Sequence, residues 1–334
     1  MTNLRRLFCG TVVLALCVFL IMGCGVKEAE HNGGSAYSVT DSRGMKVDFE
    51  QKPQKIVTLS MSTDEIVLGL VRPDKLAAVN YLLDDPVSSA IPDLAKKIPT
   101  KIKNPSAEEI FAMKPDLVII PDWNNIEIAD SLRDLGLKVV VVPGAKNIGE
   151  VKVSVQLIAD ALGEHEKGTE LIALMDEKIN EIESKVIKIP QEDRKKVAIL
   201  SLMPGYGGIG SSFDDICKYA GVVNGMADEG LHNGQPVSKE ELIKINPDIL
   251  FLPAYADHNS VDANVRNEKY LDDPALQGIN AIKENNLVYP RESYIYSVSQ
   301  NIVFGIQEID RCVYGSVFDF PDKAHLSVSE EESK

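Results

Sequence analysis

Short runs that are apolar at every position alternate with stretches of helical spacing along most of the chain. In the first half the runs are KIVTL, KLAAV, LVII and KVVVV, with helix patterns such as DEIVLGL and ADSLRDLGL between them. A run with no polar face fits a strand covered on both sides, and the alternation predicts a parallel α/β sheet. Ahead of it, YSVTDSRGMKVDFE alternates about a turn at Asp41 to Gly44 and predicts a small hairpin. The second half repeats the theme with KVAILSLM, the helix pattern FDDICKYAG, ILFL, NNLVYP and a last helix from Gln300 to Tyr314. Between the halves, Leu171, Leu174, Met175, Ile179, Ile182 and Val186 keep helical spacing, which predicts one long amphipathic helix from Glu164. The expected organisation is an α/β fold of two Rossmann-like lobes, residues 37–163 and 189–320, joined by a stiff helix at 164–188.

The halves also share a detailed plan. Ser106 to Trp123, SAEEIFAMKPDLVIIPDW, is echoed by Ser238 to Tyr255, SKEELIKINPDILFLPAY, with six of eighteen positions identical. Ser106 and Ser238 are N-cap residues with Glu109 and Glu241 three positions on, a capping box in each copy. Pro115 and Pro247 end the helices, and the apolar runs are strands. Glu108 and Glu240 are left without a structural task, apart from the mild preference for acids at a helix start.

The N-terminus adds an address. Residues 1–24 have a basic start at Arg5 and Arg6, an apolar run from Leu7 to Met22 that is short for a membrane span, and then Gly23-Cys24. This is a secretory signal, and Ile-Met-Gly-Cys resembles a bacterial lipoprotein cleavage box, which makes Cys24 the lipidated first residue of the mature chain. An uncleaved anchor would put the fold on the same, extracytoplasmic side. Residues 25–36 read as a flexible leash and 321–334 as an unstructured acidic tail. The chain carries 35 Lys and Arg against 50 Asp and Glu, a net charge of -15, which argues against a nucleic-acid partner. Cys217 and Cys312 lack metal or redox spacing and read as buried free thiols.

The stretches VTDSRGMKVDFEQKPQKIVTLSMSTDEIVLGL, PSAEEIFAMKPDLVII, PVSKEELIKINPDILFL and ENNLVYP, in that order, resemble the extracytoplasmic substrate-binding proteins of ABC importers for siderophores, haem and cobalamin. The resemblance implies two α/β lobes on a helical backbone with a ligand cleft between them, and a monomer that hands its ligand to an ABC permease and its ATPase. It also implies that Glu108 and Glu240, one per lobe, meet arginines of the permease. A capped turn holds such carboxylates in place.

Ligands of doubly wound sheets bind at the carboxyl ends of strands. That rule nominates Met61, Ser62, Asn80, Tyr81 and Trp123 in the first lobe, and Tyr206, His232, Tyr255, Arg291, Tyr294 and Tyr296 in the second. The set is aromatic and holds one arginine, too few for citrate or catecholate chelates. A hydroxamate-type ferric siderophore or a corrinoid is expected, with no permanently bound cofactor. Haem is the alternative, with Met61 and His232 as axial ligands.

Readings of other classes were weighed. Gly205 to Gly210 matches GxGxxG, but the acidic residue that should end a second strand is missing, because Asp228 falls in a loop. The glycines read instead as letting backbone approach a cleft ligand. A bare metal-ion site needs clustered ligands, and only His232 is well placed. No GxSxG or HExxH supports an extracellular hydrolase. The chain is expected not to be an enzyme.

Overall fold

The computed structural model describes residues 36–124, 126–201, 203–253 and 263–329. The predicted signal with Cys24, the leash up to residue 35, and Tyr255 lie outside them. Strands β1 (Tyr37–Thr40) and β2 (Lys46–Phe49) form the antiparallel hairpin. Asp41 closes its turn by accepting the Arg43 and Met45 N–H groups at 2.9 Å each.

The first sheet comprises β3 (Ile56–Thr58), β4 (Leu76–Asn80), β5 (Lys101–Ile102), β6 (Leu117–Pro121) and β7 (Val139–Val142), all parallel, in the order β5-β4-β3-β6-β7. Every residue of β6 and β7 is buried, as strands with no polar face require. The chain builds outward from β3 in one direction and then the other, so the topological switch lies between β3 and β6. The second sheet contains β8 (Lys196–Ile199), β9 (Val223–Asn224), β10 (Ile249–Phe251) and β11 (Leu287–Val288), again parallel, in the order β11-β10-β8-β9. Its switch lies between β8 and β10. The repeated segment supplies β6 to one lobe and β10 to the other, so it borders the switch point in both.

Among helices of six or more residues, α1 (Met61–Leu70), α2 (Ala107–Ala112), α3 (Ile126–Asp134) and α4 (Ile148–Leu162) cover the first sheet. Helix α5 (His165–Val186) spans the two halves, burying Leu171, Met175, Ile179, Ile182 and Val186 on one stripe. Helices α6 (Ser212–Tyr219), α7 (Lys239–Ile245), α8 (Ala263–Leu271) and α9 (Ile302–Tyr314) follow. None of the helices among the described residues is long and apolar enough to cross a membrane.

The repeat folds alike in detail. Both capping boxes are closed, at Ser106 with Glu109 and at Ser238 with Glu241. Each helix leaves through a left-handed residue, Lys114 (φ 53°) or Asn246 (φ 43°), just before its proline. The repeated aspartate then pins the adjacent first strand. Asp116 accepts the Gln54 and Lys55 N–H groups at 2.7 and 2.9 Å, and Asp248 accepts the Lys196 N–H at 2.9 Å.

Three expectations need correction. The C-terminal segment is not an unstructured tail as far as residue 329. Its backbone and side chains bond to Tyr294, Gln300 and Asn301 on one side and to Gly69 on the other. The glycines of the Gly205–Gly210 loop serve packing against protein. A Cβ on Gly205 would lie 2.4 Å from Gly234, and one on Gly208 would lie 2.4 Å from the Leu231 carbonyl oxygen, so they let this loop sit against residues 231–235. Strands β5 and β9, of two residues each, carry no periodic signal and were not foreseen. Cys217 and Cys312 are free, and burial raises both thiol pKa values, that of Cys312 to about 12.

Candidate functional site

At the carboxyl ends of β3 to β6, the first lobe forms an open hollow of about 300 Å³ lined by Leu59, Asn80, Ile102, Asn104, Pro105, Asn124 and Ile128. Three carboxamides therefore meet around an apolar floor. Asn80 is set from below by buried Asp64, whose Oδ2 accepts the Asn80 N–H at 2.8 Å while its other oxygen meets Thr58 Oγ1. Burial raises Asp64 to about 8, with Glu65 adding to the effect and the Thr58 and Asn80 hydrogen bonds opposing it, so the carboxyl is mostly protonated at neutral pH. Asn80 Oδ1 accepts the Leu82 N–H at 2.9 Å, which leaves Nδ2 toward the hollow without a partner among the described residues. Asn124 crosses the switch point, its Nδ2 donating to the Leu59 carbonyl at 3.0 Å. Asn104 is held at φ 49°, a left-handed conformation that asparagine tolerates.

Met61 and Ser62 occupy the first turn of α1, both half-buried, after the N-cap Ser60. Tyr81 follows Asn80, with the Lys103 ammonium 4.6 Å from its ring centroid. Trp123 ends β6, is 62 % exposed, and lies against Gly144, where a Cβ would fall 2.4 Å from its ring.

In the second lobe Tyr206 and Tyr296 pack together, ring centroids 5.0 Å apart. Their hydroxyls are engaged within the protein: Tyr206 with Ser212 Oγ at 3.0 Å and the Ile295 carbonyl at 3.1 Å, Tyr296 with Ser201 Oγ at 3.0 Å. What they offer a ligand is ring surface. His232 is exposed in the loop that pairs with Ile209.

Arg291 and Tyr294 are corrected. Beyond β11 the chain turns inward, and Arg291 binds buried Glu308 through Nε at 2.8 Å and Nη2 at 2.7 Å, with Phe320 stacked 3.8 Å from its guanidinium carbon. Tyr294 is fully buried, its hydroxyl donating to the carbonyls of Asp322 (3.0 Å) and Ala324 (3.1 Å). Both residues serve the lobe's interior and its C-terminal segment. Asn104 and Asn124 were missed: one follows a two-residue strand and the other stands beside the more conspicuous Trp123. Tyr255 lies outside the described residues.

Glu108 and Glu240 stand exposed at the second positions of α2 and α7, and neither forms a hydrogen bond or ion pair among the described residues. Among those residues no group of three or more His, Cys, Asp or Glu side chains is placed to hold a metal ion.

The geometry of two parallel-sheet lobes on one long helix recurs in known proteins. A periplasmic haem-binding protein of Roseiflexus sp. RS-1, in apo form, superposes with a TM-score of 0.66 at 21 % identity, over 78 % of this chain and 98 % of that one. An ABC-transporter substrate-binding lipoprotein of Bacillus subtilis, YvrC, is 24 % identical over 321 residues, covering 91 % of this chain and 96 % of the relative. The Fe(3+)-citrate-binding protein YfmC of the same organism is 27 % identical over 288 residues, covering 83 % and 86 %. The family described as periplasmic binding protein matches residues 56–294, from the first strand of one sheet through the last strand of the other. With the fold, both switch points and the repeated docking helices inside that span, the chain belongs to the periplasmic binding protein family.

Proposed function

We propose that this protein is the substrate-binding component of an ABC importer, capturing a ferric chelate or corrinoid between its lobes and delivering it to the membrane permease. The observation that carries the ligand class is the character of the first-lobe wall: three carboxamides, apolar floor and an exposed tryptophan, with no arginine. In the second lobe the nominated arginine is spent on Glu308. Such walls favour a chelate of neutral oxygen and amide groups over one with several free carboxylates. That supports a hydroxamate-type ferric siderophore or a corrinoid, even though one relative is named for ferric citrate. Cys24 carries the lipid that tethers a monomeric, non-catalytic receptor to the outer face of the cytoplasmic membrane. Glu108 and Glu240 dock it to the permease.

Trp123 is the sole tryptophan and stands at the rim of the hollow, so its emission reports binding. Protein lacking residues 1–24 is titrated with a ferric hydroxamate, ferric citrate, cyanocobalamin and haemin, with calorimetry in parallel. Quenching with one-to-one heat for the hydroxamate or the cobalamin is the expected result. Binding of citrate alone would overturn the ligand class, and a Soret band in freshly purified protein would assign haem, with Met61 and His232 as the ligands to substitute. Silence toward all four removes the chelate-receptor reading.

A further inference from the structure

The serine, second glutamate, left-handed residue, proline, aspartate and apolar run of each repeat copy have structural tasks. Two side chains per copy remain: the first glutamate and, three residues later, a large apolar residue facing solvent. Phe111 is 45 % exposed and Ile243 is 45 % exposed, and they occupy equivalent positions in α2 and α7. Residues i and i+3 share a helix face, so Glu108 with Phe111 and Glu240 with Ile243 form two matched acid-apolar pairs. Single exposed apolar residues are common on any surface. Here the match is selective, since the neighbouring positions differ: Ala107 and Ala112 in one copy are Lys239 and Lys244 in the other. Those two lysines are diverted to Asp273 and Glu229, so neither neutralises Glu240 by direct contact.

We propose that Phe111 and Ile243 are apolar anchors of the docking face, each fitting a recess beside a basic side chain, on a permease whose two halves present that feature alike. The inference rests on the docking role proposed above for the two glutamates. An exposed ion pair in water is weak and screened by salt, whereas apolar surface packed around it excludes water and strengthens it. Anchors at both lobes also fix the receptor's orientation on a partner built of two similar halves.

The test uses protein lacking residues 1–24 and the cognate permease–ATPase complex in lipid nanodiscs, with affinity read by biolayer interferometry. Phe111→Ser with Ile243→Ser is expected to weaken binding by about thirtyfold or more, while ligand affinity and the thermal midpoint stay unchanged. Phe111→Met with Ile243→Leu should keep binding, which separates the apolar contact from the fold. If the double serine variant binds within about twofold of the parent while Glu108→Arg with Glu240→Arg does not bind, the anchor inference fails and glutamate docking stands. If both double variants bind normally, the docking reading falls with it.

Discussion

The backbone N–H of Val328 donates to the carbonyl of Gly69 at 2.8 Å, tying the C-terminal segment to the end of α1 in the opposite lobe. Beside it Ser327 Oγ donates to the same carbonyl at 3.3 Å, and Leu326 accepts from Gln300 Nε2 at 3.2 Å and donates to Asn301 Oδ1 at 3.1 Å. A Cβ on Gly69 would fall 2.5 Å from Gln300 Nε2, so the glycine is what lets the two lobes and the strap meet here. Under the strap Glu65 accepts from Asn301 Nδ2 at 3.2 Å and also meets Ser299 Oγ. Residues 324–329 thus act as a cross-lobe strap over a buried polar seam.

Removing everything after Lys323 should lower stability by about 2–4 kcal/mol, from several lost hydrogen bonds at roughly 1 kcal/mol each and the wetting of the seam. By calorimetry that is a drop of roughly 5–10 °C in the thermal midpoint. Burial lowers His325 to about 4, below its ordinary value of 6.5. Its neutral form is held in the folded state, so this contribution is present above about pH 6.5 and is lost as pH falls toward 4. The truncated protein should lack that acid sensitivity. An unchanged midpoint in the truncated chain would show that the strap bears no load.

How much of this was legible in the sequence followed how local the cause was. Ser106 with Glu109 and Ser238 with Glu241 announce their caps within three residues, and the stripe of α5 is visible from its period alone. The strap was invisible because Ser327 and Gly69 stand 258 residues apart and the segment is polar and acidic in composition. Arg291 was misplaced for a related reason. Its strand-end position suggested the cleft, but Glu308, two elements later, decides where the guanidinium goes. Of the hollow, Asn80 was readable from a regular strand, whereas Asn104 depends on β5, whose two residues leave no pattern.

Asp310 offers a pH test inside the second lobe. Its carboxyl is fully buried in α9 with neither oxygen bonded, and burial raises it from 3.8 to about 9. The folded protein therefore keeps a proton that the unfolded chain has released, and stability falls as pH rises from about 4 toward 9. Asp64, raised to about 8, acts in the same sense. Asp310→Asn removes its share of that dependence. The variant should match or fall slightly below the parent near pH 4 and exceed it by on the order of 2–4 kcal/mol near pH 8. Urea unfolding at both pH values measures the difference, and a gain independent of pH would mean that Asp310 is not protonated in the fold.

The repeated aspartate allows the two lobes to be compared by one substitution. Asp116 accepts two backbone N–H groups, from Gln54 and Lys55, at the start of β3, while Asp248 accepts one, from Lys196, at the start of β8. Hydrogen bonds to an ionised acceptor contribute about 1.5–3 kcal/mol each when buried, and less at a half-exposed site. Asp116→Ala should accordingly cost about 2–4 kcal/mol and Asp248→Ala about 1–2 kcal/mol. The pins sit at the amino ends of the strands, away from the carboxyl-end hollow, so Trp123 titrations should show ligand affinity unchanged in both variants. Equal losses would mean that the aspartates act through something other than the amides they hold, and a loss of ligand affinity would mean that strand register at β3 reaches the far end of the sheet.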